Sequence, residues 1–226
     1  MAQKTKEAIL KELAEAVMTY DQDAARRAAQ EALDAGITPI EAVDKGLRPG
    51  INEVGERFGR DEVYLPHLLM AADALKAGVE VLQRGIPKED LEKMQLGRIV
   101  IGTVKDDIHD LGKNIVAAML SASGFEVIDL GKDVSPEVFV NKAREVNADI
   151  IAVSSLMTTT MPYQREVVEE LKYQGVRDRF LVVVGGGPVT AEWAERIGAD
   201  SFSENASGAV EVVKKLMAMK RLEADE

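Results

Sequence analysis

Few residues in this chain could do chemistry, and their types narrow the choice. Its 226 residues include no cysteine and two histidines, His67 and His109. Without cysteine there is no disulfide, thiolate-held zinc or cysteine-bound iron–sulfur cluster, so any metal must be held by histidine, a carboxylate or a bound macrocycle. His109 lies in the run Lys105-Asp106-Asp107-Ile108-His109-Asp110-Leu111-Gly112-Lys113-Asn114. A carboxylate two residues before it can take the proton of one ring nitrogen while the other faces a metal, as behind many metal-bound histidines. The same loop also reads as a polar cap on the next helix with the histidine simply hydrogen-bonded, and the loop alone leaves both readings open. Two more clusters stand out, Ser154-Ser155-Leu156-Met157-Thr158-Thr159-Thr160 and Gly185-Gly186-Gly187-Pro188. The glycines allow either a tight turn or the close approach of a ligand to the backbone. His67 reads as structural or exposed.

The elements that must position these groups follow from hydropathy periods. Residues 1–84 repeat apolar side chains at three- and four-residue spacing, as in Ile9, Leu10, Leu13 and Val17, then Val43, Leu47, Ile51, Val54 and Phe58. This spacing predicts amphipathic helices over roughly 4–18, 22–35, 38–58 and 64–83. Gly36 can stop the second, and Thr38-Pro39-Ile40-Glu41 offers an N-cap, a first-turn proline and a capping-box glutamate for the third. Short connections favour antiparallel neighbours, hence an N-terminal four-helix bundle. Residues 85–97 are charged and carry Gly85 and Pro87, and they read as a linker.

From residue 98 to 226 short β-branched runs, near 98–104, 125–130, 149–156, 180–184 and 200–203, alternate with helical segments near 112–123, 136–146, 162–174, 190–197 and 206–221. Runs apolar on both faces fit a parallel sheet with helices on each side. The expectation is a flavodoxin-like (Rossmann-type), doubly wound five-stranded sheet in the order 2-1-3-4-5, so the whole chain is of the α plus α/β class. Ligands of such sheets bind beyond the carboxyl ends of the strands, where the strand order reverses. The three polar clusters fall at the ends of the first, third and fourth strands.

The formal net charge of -11 opposes a nucleic-acid partner, because phosphate-backbone affinity needs clustered Lys and Arg. No run approaches the roughly 18 apolar residues of a spanning helix, and the Met-Ala-Gln-Lys start lacks the apolar run of a signal peptide. The expectation is a cytoplasmic protein without a membrane partner.

Taken together, Asp107-x-His109-x-x-Gly112, Ser154-x-Leu156 and Gly185-Gly186 resemble the spaced signature of the cobalamin-binding domain of B12-dependent methyltransferases and mutases, over residues 98 to about 220. The resemblance implies that His109 replaces the cofactor's dimethylbenzimidazole as lower axial ligand of cobalt, the base-off/His-on state. The displaced nucleotide tail would enter a slot where Ser154 bonds the base and Gly185 and Gly186 make room. Asp107 would pair with His109 and Thr160 would extend the ligand relay, so that protonating the relay favours loss of the imidazole ligand. Ile108, Gly112, Leu156, Thr158 and Gly187 are counted with the same cofactor site.

The helical half resembles the cap of methyltransferases such as cobalamin-dependent methionine synthase, at Gly55-Glu56-Arg57-Phe58 and Val63-Tyr64-Leu65-Pro66-His67-Leu68. By that resemblance Tyr64 and Leu65 would shield the methyl-bearing face of the corrin; ordinary bundle core is the other reading of both. The whole layout looks like the stand-alone corrinoid proteins of methanogens and acetogens, which serve methylamine, methanol, glycine betaine or methyl-ether methyltransferase systems. In such systems cobalt(I) accepts a methyl group and methyl-cobalt(III) donates it. The implied partners are a substrate:corrinoid methyltransferase, a methylcorrinoid:tetrahydrofolate or coenzyme M methyltransferase, and a reductive activase. The chain reads as a carrier subunit rather than a complete enzyme, with a cap that swings aside for each partner.

Two rival classes have sequence tests. B12-dependent light-sensing regulators add a DNA-binding segment and a tryptophan-bearing bundle motif ending in Glu-His, whereas here the one tryptophan is Trp193 and Pro66 precedes His67. A phosphoacceptor receiver domain would end its third strand in aspartate, where this chain has Ser154 and Ser155.

Overall fold

Alternation between helical and extended periods along the chain becomes two structural units in a computed structural model that describes residues 4–85 and 96–224. The chain divides into a helical unit, Met1–Gln95 with Ser121–Gly124, and an α/β unit, Leu96–Leu120 with Phe125–Glu226. Most of the linker expected over 85–97 lies outside the described residues.

In the helical unit α1 (Lys6–Met18), α2 (Gln22–Asp34), a third helical run and α5 (Leu65–Leu82) follow one another. The third run is α-helical over α3 (Pro39–Ala42), π-wound over Val43–Leu47 and α-helical again over α4 (Arg48–Gly59), a wide turn that the apolar period did not announce. Side chains cap the starts as the composition leads one to expect: Thr5 accepts from the Ala8 N–H at 3.2 Å, Asp21 from Ala24 at 2.8 Å and Thr38 from Glu41 at 3.3 Å. Gly36 takes a left-handed φ of 73° just after α2, where a β-carbon would be strained.

Small residues set how closely these helices pack. The alanine face of α2 (Ala25, Ala28, Ala29, Ala32) is buried, as are Ala71, Ala74, Ala77 and Gly78 of α5, the helix that α2 packs against most. A β-carbon on Gly50 would lie 2.5 Å from the Ala14 carbonyl oxygen, so α1 and α4 approach backbone to backbone there.

The α/β unit holds an all-parallel sheet in the order β2-β1-β3-β4-β5, built from β1 (Arg98–Thr103), β2 (Glu126–Asp129), β3 (Ile150–Ser154), β4 (Leu181–Gly185) and β5 (Ser201–Ser203). The helices α6 (Leu111–Ala122), α7 (Pro136–Glu145), α8 (Pro162–Tyr173), α9 (Ala191–Ile197) and α10 (Ala206–Ala224) lie between and after the strands. This is the doubly wound order expected from the sequence. Because side chains alternate along a strand, one sheet face carries Val100, Ile151, Val153, Val182 and Val184, which form a dense core with Phe139, Val140, Val167, Val168, Leu171, Trp193 and Ile197 of α7, α8 and α9. The other face carries Ile101, Ala152 and Val183, register neighbours on β1, β3 and β4. Among the described residues no helix is long and apolar enough to cross a membrane.

Candidate cofactor-binding site

Strand register builds the site before any side-chain chemistry does. The last row of the sheet pairs Thr103 with Ser154, Ser154 with Gly185 and Gly185 with Ser203. Two rows below, on the same face, Ala152 sits between Ile101 and Val183. Short side chains in neighbouring strands cannot fill the space under the helices covering them, and a cavity of about 650 Å³ opens between this face and α6 and α10. Its deep walls are Ile115, Val116 and Leu120 of α6 and Ala209 and Val213 of α10; its polar groups include Ser154, Ser203 and Asn205.

His109 lies on the cavity wall, in the loop after β1, with its side chain 47% exposed. Its Nδ1 is 2.8 Å from Oδ1 of Asp107, whose side chain is wholly buried. With a carboxylate at Nδ1, the ring carries its proton there, and Nε2 keeps the lone pair able to bind a metal. Asp107 is itself over-determined. Its Oδ1 also accepts from the His109 N–H at 3.1 Å, and its Oδ2 accepts from the Leu156 N–H at 2.7 Å and the Thr160 hydroxyl at 2.8 Å. Burial alone pushes this carboxyl up, but hydrogen bonds from Leu156, His109 and Thr160 outweigh it and hold the group down at about 2. The Ser155 hydroxyl is buried 2.9 Å from the Thr160 hydroxyl and 3.2 Å from the Met157 carbonyl oxygen. Since Thr160 donates its one proton to Asp107, Ser155 is the member that can donate to Thr160.

The cavity brings together most of the residues singled out in the sequence: Ile108, His109, Gly112, Ser154, Leu156 and Gly185 to Gly187 all line it. Asp107 and Thr160 stand behind the wall and hold the histidine. Thr158 is exposed and is not among the lining residues. Tyr64 and Leu65 belong to the helical unit, where Tyr64 is 71% exposed and is therefore not bundle core. The Tyr64 N–H donates to Nδ1 of His67 at 3.1 Å at the start of α5, the structural role read for that histidine.

Gly186, which lines the cavity, also needs its missing β-carbon for loop packing. With φ at 128°, a β-carbon there would sit 1.8 Å from the Ser155 carbonyl oxygen, so the glycine lets the β4 loop close onto the β3 loop. Gly185 faces the Ser203 carbonyl oxygen in the same way at 3.1 Å, and Gly187 faces Leu156 in the cavity wall at 3.4 Å.

Sequence reasoning missed several buried polar residues, among them Thr103, whose hydroxyl donates to the His109 carbonyl at 3.1 Å. Lys113, 3% exposed in the first turn of α6, reaches Asp129 at the end of β2 at 2.6 Å and Asn114 at 2.6 Å, tying the helix that follows His109 to the sheet. Gln164, wholly buried, donates to the carbonyls of Val153 and Gly185 at 2.9 and 3.0 Å and accepts from the Trp193 indole at 3.0 Å. Lysine and glutamine on amphipathic helices normally face water, so nothing in their local pattern marks them.

Comparison with known proteins agrees with this geometry. The family described as B12 binding domain matches residues 97–213, and a second family of the same description matches residues 9–83. Dimethylamine corrinoid protein 1 of Methanosarcina acetivorans is 50% identical over 214 residues, covering 95% of this chain and all of that protein. Among solved structures, the methanol:cobalamin methyltransferase complex MtaBC of Methanosarcina barkeri aligns with a TM-score of 0.79 at 29% identity, covering 96% of this chain and 82% of that one. A cobalamin-binding protein from Desulfitobacterium hafniense aligns with a TM-score of 0.68 at 35% identity, covering 90% and 96% of the two chains. With its site geometry and both halves matched, the chain belongs to the family of B12-binding corrinoid proteins.

Proposed function

We propose that this chain is a methyl carrier that holds a corrinoid in the base-off/His-on state, with His109 as lower axial ligand of cobalt. The observation that carries the reading is the His109 ring itself, fastened through Nδ1 to a buried carboxylate and left with Nε2 free at a deep, mostly apolar cavity. The residues fit such a group. Exposed apolar side chains beside the histidine, Ile108, Leu111 and Leu156, suit a flat macrocycle, and the cavity suits a displaced nucleotide tail. Ser154 would hydrogen-bond the base of that tail, with Gly112, Gly185, Gly186 and Gly187 around it.

Bound there, the corrinoid supplies a cobalt centre that takes up a methyl group and gives it away. The chain's own part is to fix the imidazole: Asp107 orients the ring through Nδ1, while Thr160 and the Leu156 N–H hold Asp107 in place. Tyr64 and Leu65 of the helical unit would shield the methyl face, making that unit a cap. Partners follow from the relatives, two of which are named for dimethylamine and for a methanol:cobalamin methyltransferase complex. One methyltransferase would load the carrier, a second, of tetrahydrofolate or coenzyme M type, would unload it, and a reductive activase would rescue oxidised cobalt. The dimethylamine protein's higher identity favours a methylamine as donor.

Reconstitution with hydroxocobalamin tests the reading. The protein should retain the cofactor through gel filtration, and its cobalt(II) EPR spectrum should show nitrogen splitting from histidine, which His109→Ala removes. Failure to retain cobalamin, or splitting that survives in His109→Ala, would overturn it. Methyl transfer should need an added methyltransferase, and efficient turnover by the chain alone would refute the carrier role.

A further inference from the structure

The His109 ring is held through Asp107, and the Thr103 hydroxyl donates to the His109 carbonyl at 3.1 Å, yet neither contact explains how the turn delivering Asp107 keeps its shape. That turn runs from Val104 to Asp107, closed by the Asp107 N–H on the Val104 carbonyl at 3.2 Å. Asp106 within it adopts φ 62°, a left-handed angle that glycine takes freely and that a residue with a β-carbon keeps only when its surroundings hold it. Two contacts do so. The Asp106 N–H donates to Oδ1 of Asp133 at 2.8 Å, and the Tyr163 hydroxyl donates to Oδ2 of Asp106 at 2.7 Å. Asp133 is likewise left-handed, at φ 56°, and its N–H donates to the Asp107 carbonyl at 3.2 Å, so the two aspartates brace each other around the residue that grips the histidine.

Tyr163 is well placed for this work. It lies in the first turn of α8, beside Gln164, which clamps β3 and β4, and its ring packs on the main sheet core. It is also three residues after Thr160, so one short stretch of chain holds both neighbours: Thr160 on Asp107 and Tyr163 on Asp106. The Lys105 ammonium, 5.8 Å from the centre of the Tyr163 ring, adds a contact from the residue just before.

We infer that Tyr163 is a positioning residue for the cobalt ligand: its hydroxyl, bonded to the Asp106 carboxylate, locks a turn in which a non-glycine residue holds a left-handed angle, and so fixes where Asp107 presents His109. The inference rests on His109 being that ligand. The hydroxyl matters only because residue 106 carries a β-carbon, which gives the test its form.

The experiment compares Tyr163→Phe in the wild-type and Asp106→Gly backgrounds, by hydrogen exchange of the 105–110 amides in cofactor-free protein and by the histidine-ligated fraction in the cobalt(II) EPR spectrum after reconstitution. In the wild-type background Tyr163→Phe should speed exchange in this turn about fivefold, the factor expected for losing one ordinary hydrogen bond, and lower the histidine-ligated fraction. Asp106→Gly should keep the turn, and Tyr163→Phe added to it should change neither reading. No change in the wild-type background, an equal change in both, or faster exchange spread over the whole sheet would each overturn the inference. Absence of histidine ligation in the wild-type protein would instead defeat the ligand assignment, with the exchange result still deciding the role of the hydroxyl in the turn.

Discussion

Asp107 concentrates the chemistry of the site in one side chain. It is removed from water, and its two oxygens accept four hydrogen bonds, from His109 twice, Leu156 and Thr160. Its folded-state value of about 2 lies below the roughly 3.9 of a free aspartate, so the folded protein binds this proton less readily than the unfolded chain. Stability from this group is fully present above about pH 4 and is lost as pH falls through about 2, amounting to about 2 kcal/mol. Urea unfolding of wild type and Asp107→Asn should therefore diverge above pH 4 and converge towards pH 2; parallel pH profiles would contradict the assignment. Asp107→Ala should cost more, about 3 kcal/mol, because it leaves the Leu156 N–H without its acceptor and empties the buried space the carboxylate fills, while the Thr160 hydroxyl keeps only the Met157 carbonyl as acceptor. The Asp107–His109 pair could be read in the sequence because the two residues stand two positions apart. Ser155 could not be assigned, since its partner Thr160 is defined by how the loop after β3 folds back.

At the scale of elements, the loops after β3 and β4 act as one unit. The Ser155 N–H donates to the Gly185 carbonyl at 3.1 Å, and the absent β-carbon of Gly186 allows that closeness. Gly186→Ala would push a methyl group into the Ser155 backbone and force an unfavourable angle on alanine, at a cost of about 3 kcal/mol. Because Leu156 follows Ser155, its hydrogen bond to Asp107 should weaken too. Thermal unfolding should show the first effect, and a reduced histidine-ligated fraction after reconstitution the second. Gln164→Met keeps side-chain volume but leaves the buried Trp193 indole N–H without its acceptor and removes a donor from the Val153 and Gly185 carbonyls, and should cost about 2 kcal/mol in chemical denaturation. Positions of strands and helices were legible from periodicity, with ends shifted by up to three residues, the most at the end of α10. The π-wound segment Val43–Leu47 was not, because a single inserted residue leaves the average helical period nearly unchanged.

Across the whole α/β unit, the two sheet faces are unequal. One is closed by a dense core of α7, α8 and α9, while the other encloses about 650 Å³ beside α6 and α10. Such a hollow forfeits packing that a ligand can restore. Cobalamin at a hundredfold excess over its dissociation constant should stabilise the protein by about 2.7 kcal/mol, read as a rise in Tm. A side chain that fills the hollow should act in opposite directions on the two properties. Ala152→Leu, on the cavity floor, should raise the stability of the cofactor-free protein by about 1 kcal/mol and abolish cobalamin retention. Loss of both stability and binding would show that the space is not an open slot.

The sequence by itself determined the element order, the parallel sheet and the strand ends at which polar residues gather, because these follow from local hydropathy periods and from general rules for doubly wound sheets. Through the spacing of Asp107, His109, Ser154 and Gly185 it also pointed to a corrinoid. Only the tertiary structure decided why each residue is needed. Parallel register lined up Thr103, Ser154, Gly185 and Ser203 into the row that opens the cavity, and the closeness of the β3 and β4 loops added a second demand on Gly186. The same folding supplied Lys113, Gln164 and Tyr163 with partners far away in the chain. A local pattern records which side of an element faces inward; which distant atom meets a buried polar group there is set by three-dimensional packing alone.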